Sequence, residues 1–174
     1  MSTGNRYTSV ARWLHWMIAV MIVCNIALGL FHDGLGHVLP AMPLHKAIGV
    51  TVLALTLMRV LWRITHAPPP LPAAMPGWEK AAAHGLHLVF YGLMVALPVT
   101  GWVMVSANAW PLRWFGLFDI PKFALAKGDT VVVVSHGVHG PLGLVFGILI
   151  VLHVAAALRH HLVLRDDVLR RMLG

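Results

Sequence analysis

Charge is scarce in this chain. Of its 174 residues only 11% are Asp, Glu, Lys or Arg, while 59% are hydrophobic, and the mean hydropathy is +0.78. A water-soluble domain carries about a quarter charged residues, so a soluble globule is excluded and the bilayer is the expected solvent. The length allows one domain, residues 1–174. Cysteine is reduced to Cys24, inside an apolar run, which rules out a disulfide framework or a cysteine-built metal site and leaves it a small helix-packing residue. The first apolar run is long and lacks a small-residue cleavage site, so no cleavable signal is expected. The net charge of +7 could suggest nucleic acid, but the basic residues flank apolar segments without forming a stripe, and no nucleic-acid motif accompanies them. No nucleic-acid partner is expected, and lipid is the natural neighbour.

Four apolar stretches reach the ~20 residues that a helical crossing needs: 13–31, 44–64, 81–105 and 131–164. No acidic residue lies in any of them. The expected fold is therefore all-α, an integral-membrane four-helix bundle. Pro98 predicts a kink in the third helix, and the length of the fourth predicts tilt or projection. Between them, 32–43 is a short Gly/Pro-containing turn. The segment 67–77 is stiffened by Pro68, Pro69, Pro70, Pro72 and Pro76, and 106–130 carries Trp110, Trp114 and Phe115, suited to an interface. Nine of the thirteen Lys and Arg residues fall on the side holding both termini: Arg6, Arg12, Arg59, Arg63, Lys80, Arg159, Arg165, Arg170 and Arg171. Lys46, Arg113, Lys122 and Lys127 fall on the other. The positive-inside rule then predicts a multi-pass membrane protein with both termini cytoplasmic.

Against this apolar background stand twelve histidines. Polar groups inside lipid are costly and mark function. His15 begins the first helix at the inner side and His45 begins the second at the outer side, while His139 and His153 lie near the outer and inner ends of the fourth. The fourteen residues between His139 and His153 bring them within ~40° of the same face, ~21 Å apart along the axis. His45 can meet His139 at the outer level and His15 can meet His153 at the inner one. Each of the four is followed at i+4, on the same face, by a small residue (Ala19, Gly49, Gly143, Ala157), which leaves room for a flat macrocycle. His84 and His87 are followed there by Leu88 and Tyr91. Zinc or copper would prefer tighter clusters with carboxylate or thiolate. Facing imidazole pairs inside a bundle suit haem iron, and an iron closed by two protein ligands suits electron transfer. Membrane histidines also serve as plain interhelical hydrogen-bond partners, and His87 remains an alternative inner ligand.

These residues carry a family resemblance. Arg12-Trp13-Leu14-His15-Trp16, then His45 followed by Arg59 and Arg63 before a proline-rich turn, then His84-Gly-Leu-His87-Leu-Val-Phe-Tyr91, Ala96-Leu-Pro98-Val-Thr-Gly101 and His153-Val-Ala-Ala-Ala-Leu-Arg-His160-His161 occur in that order over nearly the whole chain. In this the chain resembles the bacterial cytochrome b561 family, and within it the superoxide oxidase type. The resemblance implies four helices, two b haems ligated at the positions of His15, His45, His139 and His153, and an oxidoreductase that oxidises superoxide at the outer face and reduces ubiquinone. Pro141, where an ordinary helix former would be expected, should bend the fourth helix beside His139.

Lys46, Arg113, Lys122 and Lys127, opposed by Asp33, Asp119 and Asp129, would attract a small anion if they gather over the outer haem; otherwise they are solvated loop charges. Ubiquinone takes two electrons and two protons, so its site wants protonatable groups near the inner haem and open to lipid. His160 is the first candidate, seven residues after His153, ahead of His161, Arg159 and His84. Alternatives are a quinol-oxidising carrier or membrane-anchor subunit delivering electrons to a periplasmic redox protein, and, in another class, a metal permease or structural subunit without redox chemistry.

Overall fold

The computed structural model describes residues 6–173. Helix α1 (Ser9–Leu30) starts where the Thr8 hydroxyl accepts the Ala11 N–H at 3.2 Å, satisfying one of the donors a helix start leaves unpaired. A single turn, α2 (His32–Leu35), follows, and α3 (Ala41–Thr65) begins after Pro40. Helix α4 (Gly77–Ser106) begins directly after Pro76. The long fourth stretch is α5 (Thr130–Arg159) continued by a π-helical turn (His160–Leu164), and α6 (Arg170–Leu173) ends the described chain. A two-stranded hairpin, β1 (Arg113–Trp114) with β2 (Phe118–Asp119), stands between α4 and α5.

The four long helices match the expected spans in number and order and are each long and apolar enough to cross a membrane. Their ends differ in an instructive way. Helix α4 starts four residues before the apolar stretch and takes in Glu79, so the helix carries a carboxylate that the apolar stretch itself does not. Glu79 sits in the first turn, where the helix dipole favours an anion and where hydropathy carries no signal. Pro98 and Pro141 both lie inside continuous helix. The surplus length of the fourth stretch is partly absorbed by the change to π pitch. The hairpin, α2 and α6 had no counterpart in the sequence reading, because such short elements are set by tertiary contacts. The hairpin turn needs Gly116 at φ +78 beside Phe115 at φ +46, a conformation that glycine adopts freely. Trp114 ties the hairpin to α3 through its indole N–H on Thr51 Oγ1 at 3.0 Å.

Helix α1 packs on α3, α3 on α4 and α4 on α5, while α1 and α5 meet through side chains in the shared core. This core of Ile18, Ile22, Val52, Leu93, Met94 and Phe146 occupies the middle depth: Phe146 lies seven residues from both His139 and His153. Val20, Leu61, Leu88 and Val151 point outward with 61–74% of their surface uncovered. In water such a surface would be an aggregation liability; against acyl chains it is the proper exterior. Both terminal segments meet at one end, where the Trp16 indole donates to Met172 O at 2.9 Å.

Candidate functional site

The structure pairs the histidines as the helical count requires. His45 on α3 faces His139 on α5 with ring centroids 6.1 Å apart, and His15 on α1 faces His153 on α5 at 6.5 Å. Two imidazoles sharing one metal, each bonded at about 2 Å, have centroids about 6 Å apart. Both pairs fit an iron held between them.

At the outer level the ring tautomers follow from the hydrogen bonds. His45 Nδ1–H donates to the Asn25 carbonyl at 2.9 Å. The Thr100 hydroxyl donates to Leu97 O, so its oxygen is free to accept Nδ1–H of His139, also at 2.9 Å. In both rings this leaves Nε2 as the available ligand atom, oriented by a second partner as metal-bound imidazoles are. The two rings line a cavity of about 260 Å³ with Gly29, Gly49, Gly101, Gly140, Gly143, Leu97, Pro98 and Phe146. A Cβ on Gly29 would lie 2.9 Å from His45 Cε1, and one on Gly101 would lie 3.2 Å from His139 Cε1. A Cβ on Gly140 or Gly143 would meet nothing within 4 Å. Two glycines therefore make room for the imidazoles, and two leave space for a flat group beside them. Gly49 and Gly143 were expected from their i+4 spacing. Gly29, Thr100 and Asn25 were missed, since their roles come from neighbouring helices; Gly101 and Thr100 stood in the family run without an assigned task.

At the inner level three histidines converge. His87 on α4 lies 5.5 Å from His153, ring to ring, and donates Nδ1–H to Ala83 O at 2.6 Å. Phe90 stacks edge-on against both His153 and Phe146, so an aromatic bridge fills the space between the two levels. Arg59 ties three helices together beside this level, donating from Nη1 to Ala11 O at 2.7 Å and from Nε to the Tyr91 hydroxyl at 3.2 Å.

The four expected outer cations do not behave alike. Lys46 lines the outer cavity with His45, and Lys122 is close enough to act on it electrostatically. Lys122 Nζ also donates to Asn108 O. Arg113 is paired with Asp119 across the hairpin at 2.9 Å, which neutralises it locally, and Lys127 lies exposed in the loop before α5. His160, expected to stand open to lipid, is buried at 9% exposure, with carboxylates at both ring nitrogens. His84 is exposed, with Nδ1–H on Lys80 O.

Comparison with known proteins identifies the family. Residues 6–174 match the model of the prokaryotic cytochrome b561 family. The chain is 36% identical to cytochrome b561 homolog 2 of Escherichia coli K12, covering 99% of this chain and 94% of the relative. It is 24% identical to cytochrome b561 homolog 1 of the same organism, with 97% of each chain covered. It is 28% identical to the probable superoxide oxidase CybB of Yersinia pestis, over 97% of this chain and 96% of the relative. A histidine-rich four-helix membrane bundle and a family match from end to end lead to one conclusion: the chain belongs to the prokaryotic cytochrome b561 family, as a multi-pass membrane electron carrier whose cofactor is haem b.

Proposed function

We propose that this cytochrome binds two b haems and oxidises superoxide at its outer face, passing the electrons to ubiquinone at the inner one. The observation that carries the reading is the stacking of two histidine pairs at separate depths of one bundle, with an apolar and aromatic layer between them. His45 and His139 would hold the outer haem, and His15 and His153 the inner. His87 also lies near His153, but Tyr91 stands at i+4 from it where Ala19 follows His15, so His15 leaves more room for a flat macrocycle. Each haem, when bound, supplies a one-electron redox centre closed to direct ligation.

The chain's own residues do the rest. Lys46 and Lys122 present positive charge at the mouth of the outer cavity, drawing an anion toward it; Arg113 and Lys127 widen that field. The apolar layer keeps water out between the levels. The balanced reaction is two superoxide plus one ubiquinone and two protons giving two dioxygen and one ubiquinol. The Yersinia relative carries the printed name of a probable superoxide oxidase, which supports the substrate. The excess of arginine and lysine at the end holding the termini supports a cytoplasmic placement of that end.

The test is a rapid-mixing experiment on purified haem-loaded protein. Superoxide should reduce both haems within the mixing series, and a short-chain ubiquinone should then reoxidise them. Haems that stay oxidised under superoxide but are reduced by quinol would reverse the direction, and the chain would serve as a carrier or anchor for a periplasmic redox partner.

A further inference from the structure

Six acidic residues occur in the whole chain, and two of them converge on one buried histidine. His160 Nδ1–H donates to Asp166 Oδ2 at 2.5 Å. Its Nε2 faces Glu79 Oε2 at 3.8 Å. Glu79 Oε1 accepts from Arg159 at 3.1 Å, but Oε2 is buried without a hydrogen-bond partner, on a side chain only 11% exposed. Leaving a buried acceptor unsatisfied is unfavourable, more so when it is charged.

The backbone is also unusual here. His160 opens a π turn, Arg165 closes it in the left-handed region at φ 53, and the chain then returns so that Asp166 lies against His160. Single π turns recur at functional sites, and non-glycine residues in left-handed conformations are strained. A latch for the C-terminal segment explains Asp166, which also caps the Val168 N–H at 3.0 Å. It explains neither the orphan oxygen of Glu79 nor its aim at the second ring nitrogen.

We propose that Asp166, His160 and Glu79 form a proton inlet for quinone reduction at the end of the bundle that holds both termini. The inlet rests on the reading of a quinone as electron acceptor. Imidazole can take a proton on one nitrogen and release another from the opposite one. Asp166, a quarter exposed, is the entry. Starting from the other tautomer, with the ring proton on Nε2, a proton passed from Asp166 to Nδ1 releases the Nε2 proton to Glu79 Oε2, once the 3.8 Å gap closes by about 1 Å to hydrogen-bond distance. The ring is left in the Nδ1–H form that donates to Asp166 and turns over before the second transfer. Glu79, on α4 and eight residues before His87, is the terminal donor on the bundle side. Two such transfers supply the two protons that accompany two electrons into ubiquinone. The other charges facing the triad are Arg159 on Glu79 and Arg171, from α6, on Asp166; His161 adjoins on the same turn.

The experiment uses full-length haem-loaded protein and separates the two half-reactions. In Glu79→Gln, Asp166→Asn and His160→Ala, haem reduction by superoxide should be unchanged. Reoxidation by a short-chain ubiquinone should slow by about tenfold or more, most at alkaline pH, and added imidazole should restore the rate of His160→Ala. Asp167→Asn, an exposed neighbour paired with Arg170 at 3.4 Å, should match the wild type. Reoxidation at the wild-type rate in Glu79→Gln and His160→Ala overturns the inlet. So does a slowing that is equal at all pH values and unanswered by imidazole, which would mark a structural latch. If the wild-type protein itself is not reoxidised by ubiquinone, the acceptor reading fails and the inlet falls with it; that outcome is recognised because the wild type and the variants then behave alike.

Discussion

Two hydrogens where side chains could have been hold the outer pair in place. Gly29 and Gly101 lie against the rings of His45 and His139 at distances that a methyl group would invade. Alanine at either site would gain helix propensity of about 1 kcal/mol, yet the ring would have to move from its hydrogen-bonded position. Gly29→Ala, with the closer approach, should lose outer-haem occupancy to a greater extent than Gly101→Ala, read as haem per protein; equal occupancy in both would show that the rings yield freely. Thr100 works one atom further out. Thr100→Val keeps the shape but leaves the His139 Nδ1–H without its acceptor, and losses of this kind cost about 10–100-fold in metal affinity. Haem titration into the apo-protein should show the weakening at one of two sites, and an unaltered isotherm would remove Thr100 from the site.

Among the elements, α5 carries paired histidines at two depths, the proposed haem ligands, and the turn that ends it turns back on itself. The latch between this turn and the C-terminal segment is pH-sensitive. Burial alone would raise the Asp166 carboxyl, but the hydrogen bond from His160, the Val168 N–H and the nearby Arg171 outweigh it and hold its pKa below the ordinary carboxylate value. A depressed pKa in the folded state means that the contact stabilises the fold above the unfolded carboxylate pKa and is lost as the pH falls through the folded one. Acidification below about pH 4, the ordinary value for Asp, should release α6 from Trp16 before the helices separate. Amide exchange confined to the segment after Leu164 would report this; exchange rising at once through all four helices would contradict it. The hairpin is a second short element, tied to α3 by the Trp114 indole on Thr51.

For the molecule as a whole, the proposed oxidation of superoxide makes the charge distribution a determinant of rate. Lys46 lines the outer cavity and Lys122 lies close enough to interact with Lys46, whereas Arg113 is neutralised by Asp119 and Lys127 lies further along the loop. Replacing Lys46 and Lys122 by Gln together should slow superoxide-driven haem reduction and flatten its dependence on ionic strength, because steering is screened within about 10 Å at 0.1 M salt. The same change at Arg113 and Lys127 should do less. A rate that keeps its salt dependence in the first variant would refute steering through these two lysines.

Much of this protein could be read from the residues in order. Hydropathy alone specifies four spans, since a helix in lipid must satisfy its own backbone and show an apolar surface. The fourteen-residue interval between His139 and His153 determines two levels, because helical pitch is local. The pairing of His45 with His139 and of His15 with His153 follows from span direction. What only the tertiary structure decided depends on atoms brought from other helices: the glycine notches at Gly29 and Gly101, the acceptors for His45 and His139, and the capture of Arg113 by Asp119. His160 shows the reason most clearly. Helical phase aims it along the face of His153, but a π turn, a carboxylate from the start of α4 and another from the returning chain enclose it, and none of the three is visible in a periodicity.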